Sequence, residues 1–186
     1  MRYFNFSPLL FHWPLVGMTF ARTGRGSSSE LAPGDPAPDF ELPGSDGKTH
    51  RLADHRGHRA VVLAWFPKAF TPGCTNECRS LGASGDALRQ FDAAYFTVSC
   101  DPPERNADFA RSLDVDYPIL ADPEAVVAKA YGVVGPLRPW PHRWTFYIGA
   151  DGNLLAIDKD VHTDTHGPDV ARRLAELGIP RAAKPE

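Results

Sequence analysis

A chain of 186 residues with 42% hydrophobic side chains can bury a substantial core, and its length favours one soluble globular domain. Its 20 Lys and Arg against 23 Asp and Glu leave a net charge of −3, with no block of either sign to attract nucleic acid or an anionic membrane surface. Three cysteines are too few for the disulfide framework of a small secreted protein, and no apolar run approaches the roughly 20 residues that cross a bilayer.

The first segment, 1–30, has an apolar middle, but His12 and Pro14 interrupt it and Arg2 is its only early cation. That is a poor secretory signal, so a disordered extension, or a start at Met18, is expected. The expected compartment is the cytoplasm, with the periplasm as the alternative should the segment be a signal. "GRGSSSE" reads as a flexible linker into a body covering 31–180, followed by a short tail, 181–186.

"GSDGKTHRL" places an Asp46-Gly47 turn between extended segments, an N-terminal hairpin. "AVVLAWF", Ala60 to Phe66, is a continuous β-branched and apolar run, as expected for a central strand covered on both faces. A helical period then runs from Cys74 to Phe91, weakened by Gly82 and Gly85. "AAYFTVSC" is the next strand, and "DPPERNADFARSL" starts a helix with Asp101 as N-cap and proline in the first turn.

"YPIL" is a short strand, and "DPEAVVAKAYGV" repeats the Asp-Pro helix start and stops at Gly132. A Pro-rich loop leads to "WTFYIGADGNLLAIDKD", two strands about an Asp151-Gly152 turn, and "PDVARRLAELG" closes the body as a helix. The order β-α-β-α-β-α-β-β-α predicts an α/β fold, a central mixed sheet flanked by helices; a thioredoxin-like arrangement fits best.

Cys74 falls where the chain leaves the central strand and turns into a helix, the usual place for a site on an open α/β sheet. A helix N-terminus offers unpaired N–H groups and the positive end of a dipole, both of which favour a thiolate, the nucleophilic form. Thr71 supplies a hydroxyl three residues earlier, and Pro67 and Pro72 stiffen the loop.

"PKAFTPGC" satisfies the Pro-x-x-x-Thr-x-x-Cys pattern and resembles the peroxiredoxins, in particular their bacterioferritin-comigratory, or PrxQ, branch. "PGDPAPDFEL", "DGKTHRL", "SCDPPE" and "RWTFYIGADG" extend the likeness from about Leu31 to Gly178. The resemblance implies a thiol peroxidase reducing hydrogen peroxide and organic hydroperoxides. In that reading Cys74 is peroxidatic, Thr71 orients the peroxide, Pro67 shields the sulfur and Arg143 stabilises the thiolate and the leaving oxygen. It implies no metal or organic cofactor, a peroxide and a thioredoxin-like reductant as partners, and a monomer or weak homodimer.

Cys78 is the expected resolving cysteine, although "CTNEC" has three intervening residues where the branch usually has four. Residues four apart share a helix face, yet their Cβ atoms stand too far apart for a disulfide, so the first turn must unwind. Cys100 and an external thiol remain open as resolvers, with Cys100 read as a buried small apolar side chain.

Two other functions are weighed: a Sco-type copper chaperone using Cys74, Cys78 and His142, and a thioredoxin-like disulfide oxidoreductase. Against them, Arg79 follows the second cysteine where the copper family has proline, and the oxidoreductases use Cys-x-x-Cys. His162 and His166 are expected in a solvated loop, and Trp140 and Trp144 are expected to wall the site.

Overall fold

The computed structural model describes residues 30–183. The expectations for residues 1–29, and for the tail beyond 183, lie outside the described residues. Two short strands, β1 (Glu41–Pro43) and β2 (Thr49–Arg51), pair antiparallel about a turn in which Gly47 takes φ +76° and Asp46 accepts from the Lys48 N–H. This is the hairpin that Asp46-Gly47 foretold.

The main sheet has five strands in the order β5-β4-β3-β6-β7: β3 (Ala60–Trp65), β4 (Ala93–Ser99), β5 (Ile119–Ala121), β6 (Thr145–Ile148) and β7 (Leu154–Asp158). Strands β3, β4 and β5 run parallel, whereas β6 and β7 run antiparallel to their neighbours. All six residues of β3 are buried, because the strand is central and both faces are covered. Val61, Leu63 and Trp65 enter one core layer, with Phe40, Leu42, Val127 and Tyr131; Val62, Ala64 and Phe66 enter the other, with Leu81, Phe109, Val170 and Leu174.

Helices α1 (Pro72–Ala83), α2 (Gly85–Leu88), α3 (Pro103–Leu113) and α5 (His166–Glu176) contribute to the second layer, and α4 (Val126–Ala130) to the first. The helix expected over 74–91 begins two residues earlier, at Pro72, and breaks at Ser84 into α1 and α2. Proline is favoured at a first helical position, and a glycine at each side of Ser84 weakens continuation there.

Asp101 does not cap α3. Pro102 occupies the N-cap position, and the Asp101 carboxylate accepts instead from the Ala69 N–H in the loop between β3 and α1. Asp122 does cap α4, accepting from the Val126 and Ala128 N–H groups, although the helix starts only after Ala125, which takes φ +54°.

Candidate active site

The site is assembled at one end of the sheet by strand register. Ala64 of β3 lies opposite Thr145 of β6, so the loop leaving β3 and the residue two before Thr145, Arg143, arrive at the same edge. Between β3 and α1 the backbone is held by its neighbours. Ala69 donates its N–H to Asp101 at 2.8 Å and accepts from Arg105 at 3.1 Å, while Asp101 and Arg105 pair at 3.1 Å.

Phe70, next in the chain, takes φ +66°, a conformation unfavourable for a residue with a Cβ. Its ring rests on Phe109 and lies under the Arg105 guanidinium, although the residue is 47% exposed. α3 thus over-determines a strained loop, and that loop delivers Thr71 and Cys74.

Thr71 is the N-cap residue of α1, but its side chain caps nothing; the hydroxyl donates to the Lys68 carbonyl at 2.9 Å. Its proton is therefore committed within the loop and its lone pairs remain available as acceptors. The first helical bond runs from Thr75 N–H to the Thr71 carbonyl, which leaves the Gly73 and Cys74 N–H groups without a partner inside the helix. Cys74 stands in this first turn.

The Cys74 residue is only 1% exposed. Pro67, Thr71 and Gly73, in the chain leading up to it, are half-buried, and the Arg143 side chain is 22% exposed, so the sulfur lies beneath the surface. Arg143 Nη2 donates to Cys74 Sγ at 3.5 Å. Gly73 permits the approach, since a Cβ there would meet that same Nη2 at 3.3 Å.

The other branch of the guanidinium, Nη1, pairs with Glu77 Oε2. Glu77 is 0% exposed, one helical turn on from Cys74. Behind it His166 places Nδ1 at 3.3 Å from Glu77 Oε1, off the line of a full hydrogen bond, and Nε2 at 2.8 Å from the Thr145 hydroxyl. Burial, reinforced by Arg143, pushes the His166 pKa down to about 4.

The two other cysteines are placed differently. Cys78 is fully buried in α1; burial pushes its thiol up to about 12, and its carbonyl accepts from the Tyr117 hydroxyl. Cys100 is half-buried against the opposite core layer, and burial with Asp122 and Asp101 nearby pushes it up to about 12 as well. All three are free thiols.

Against these contacts, residues 33–157 match the AhpC/TSA family. The chain belongs to the AhpC/TSA family. It is a peroxiredoxin, a thiol peroxidase on a thioredoxin-like fold. A putative peroxiredoxin of Mycobacterium tuberculosis is 34% identical over 157 residues, covering 80% of this chain and 98% of the relative. Peroxiredoxin Bcp of Escherichia coli K12 is 34% identical over 152 residues, covering 78% and 97%. Among solved structures, peroxidoxin BcpB of M. tuberculosis superposes with a TM-score of 0.71 at 32% identity over 78% of this chain and 97% of that one. Xylella fastidiosa PrxQ, at 23% identity, shares the fold with a TM-score of 0.74 over 81% and 99%.

In this peroxiredoxin the structure brings Thr71, Cys74 and Arg143 together and keeps Cys78 one turn below. Sequence reasoning missed the parts that Glu77, Thr145, Asp101 and Arg105 play here; only Glu77, a charged residue at a helical spacing from Cys74, carried a signal. It also misplaced His166, which is buried at the start of α5 and not in a solvated loop. Trp144 does not wall the sulfur: it stacks on His142 and packs with the core layer across the sheet, under the Lys159 ammonium. Trp140 is exposed. His142 accordingly sits away from the cysteine pair that a copper site would need.

Proposed function

We propose that Cys74 is the peroxidatic cysteine, that Arg143, Thr71 and Pro67 serve it, and that Cys78 resolves the oxidised form. The observation that carries the reading is the Arg143 guanidinium 3.5 Å from a sulfur in the first turn of α1. A positive group and free N–H donors at that point favour the ionised sulfur and the charge that develops on a leaving oxygen.

The Cys74 thiolate attacks the terminal oxygen of a hydroperoxide. The S–O bond forms as the O–O bond breaks, the sulfur is oxidised to a sulfenic acid, and the alkoxide or hydroxide leaves and takes up a proton. Thr71 accepts a hydrogen bond from the peroxide O–H with its free lone pairs, and Pro67, lacking an N–H, keeps the approach dry. Because the sulfur lies beneath the surface, only the –OOH end of a substrate reaches it, which suits hydrogen peroxide and organic hydroperoxides alike.

Cys78 then attacks the sulfenic sulfur, expelling water and forming a disulfide. Cβ atoms four residues apart in a helix are about 5–6 Å apart and a disulfide needs about 3.8 Å, so α1 must open between the two. Opening also frees the Cys78 thiol from the burial that keeps it protonated. Cys100 is a poorer candidate, since it packs on the other face of the sheet. A thioredoxin-like dithiol in a reducing compartment such as the cytoplasm reduces the disulfide and is itself oxidised.

The test is peptide mass mapping of peroxide-treated protein. We expect a Cys74–Cys78 disulfide in the wild type, a trapped sulfenic acid on Cys74 in Cys78→Ser, and no oxidation in Cys74→Ser. An undiminished thioredoxin-driven cycle in Cys78→Ser would overturn the resolving role and leave the peroxidatic one standing.

A further inference from the structure

The reaction as described uses one branch of Arg143 and leaves the other on a fully buried carboxylate. Glu77 therefore sets where the guanidinium sits, and among the described residues its second oxygen has the His166 ring as its polar neighbour, at 3.3 Å. Were Nδ1 to carry a lone pair, it would point at the lone pairs of the carboxylate. The repulsion is relieved when the proton is on Nδ1, which makes Nε2 the acceptor and the Thr145 hydroxyl, at 2.8 Å, its donor.

The imidazole is neutral, since burial and Arg143 both oppose a second positive charge. It supports the carboxylate without competing with Arg143 for it. Its position relative to α1 is fixed independently: Ser80 accepts from the Gly167 N–H at 3.0 Å and donates to the Asp164 carbonyl, and Asn76 donates to the Asp164 side chain at 3.1 Å. The start of α5 is thus fastened to the helix that carries Cys74 on either side of Glu77.

We propose that His166 is a positioning residue for the peroxidase reaction: held by Thr145, its imidazole steadies Glu77 from behind and so keeps the Arg143 guanidinium on the Cys74 sulfur. The proposal rests on Cys74 being peroxidatic and Arg143 serving it. It assigns to a buried histidine 92 positions away along the chain a part in the oxidation step, with no contact to substrate.

The experiment is stopped-flow oxidation of the reduced full chain by hydrogen peroxide, in His166→Phe, His166→Asn and Thr145→Val, each also in a Glu77→Gln background. His166→Phe is expected to slow the second-order oxidation about tenfold, by freeing the carboxylate that holds Arg143 on the sulfur. His166→Asn keeps an N–H donor near the Nδ1 position and is expected to return the rate to within about threefold of wild type. Thr145→Val, nearly isosteric, retains the histidine but loses the tautomer lock and is expected to fall between them.

In the Glu77→Gln background, the His166→Phe effect should vanish, because the histidine acts only through that carboxylate. Wild-type oxidation rates in both His166→Phe and Thr145→Val, or an equal loss with and without Glu77, would overturn the proposal. A wild-type chain whose Cys74 is not oxidised at all would overturn the peroxidatic assignment and this proposal with it, so the two failures are distinguishable.

Discussion

Arg143→Ala, with a second change at Glu77, separates the catalytic role proposed for the guanidinium from its structural one. The change removes the guanidinium, its side chain 22% exposed, that among the described residues is the only Arg or Lys paired with Glu77, a carboxylate at 0% exposure. Breaking a buried pair by deleting one partner costs about 3–5 kcal/mol, because the remaining charge is left in a medium that cannot solvate it. For a domain of this size that lowers Tm by roughly 10 °C. The same change removes the donor 3.5 Å from Cys74, and losing one such donor at a reacting centre slows the chemical step by about 10²–10³-fold.

Glu77→Gln added to Arg143→Ala makes the buried group neutral. It should restore most of the stability and none of the rate. Urea unfolding and thermal scans on the reduced proteins read the first quantity, and stopped-flow oxidation by hydrogen peroxide reads the second. If the double variant regained fast oxidation, Arg143 would act on activity only through folding, and its assignment to the sulfur would fall. If Arg143→Ala were as stable as wild type, Glu77 would not be the buried ion that the geometry describes.

Three further outcomes are expected. His166 has its pKa lowered from 6.5 to about 4, so the unfolded chain binds the extra proton first; the contribution to stability is complete above about 6.5 and is lost as pH falls toward 4. With Glu77, Arg143, Thr145, Asp158 and Asp169 around the ring, the whole effect is about 3 kcal/mol. His166→Asn should flatten that part of the stability curve in urea titrations from pH 7 to 4, and an unchanged slope would contradict it.

Gly167→Ala would drive a Cβ into the Ser80 carbonyl oxygen, forcing α1 and α5 apart; a loss of about 1–3 kcal/mol is expected in urea unfolding, and a neutral result would show that the helices do not meet so closely. Cys100→Ser should leave both the oxidation rate and the mapped Cys74–Cys78 disulfide unchanged, since Cys100 packs in the other layer; loss of that disulfide would reopen its role.

The order of strands and helices was legible in the sequence because each element advertises itself locally: an unbroken apolar run in β3, Asp-Gly at both tight turns, Asp-Pro before α3 and α4. The place of Cys74 in the fold was legible too, since a short loop motif and a helix start lie within a few residues of one another. What sequence could not give was anything decided by register and by the packing of one helix on another. Arg143 reaches Cys74 only because β6 pairs with β3 so that Thr145 lies opposite Ala64. Glu77, His166 and Thr145 meet only because α5 starts against α1, an approach a glycine at 167 makes possible. Hydrophobic period and turn chemistry are properties of neighbours along the chain, whereas a buried charge network is fixed by which distant segments are pressed together, and only the folded molecule states that.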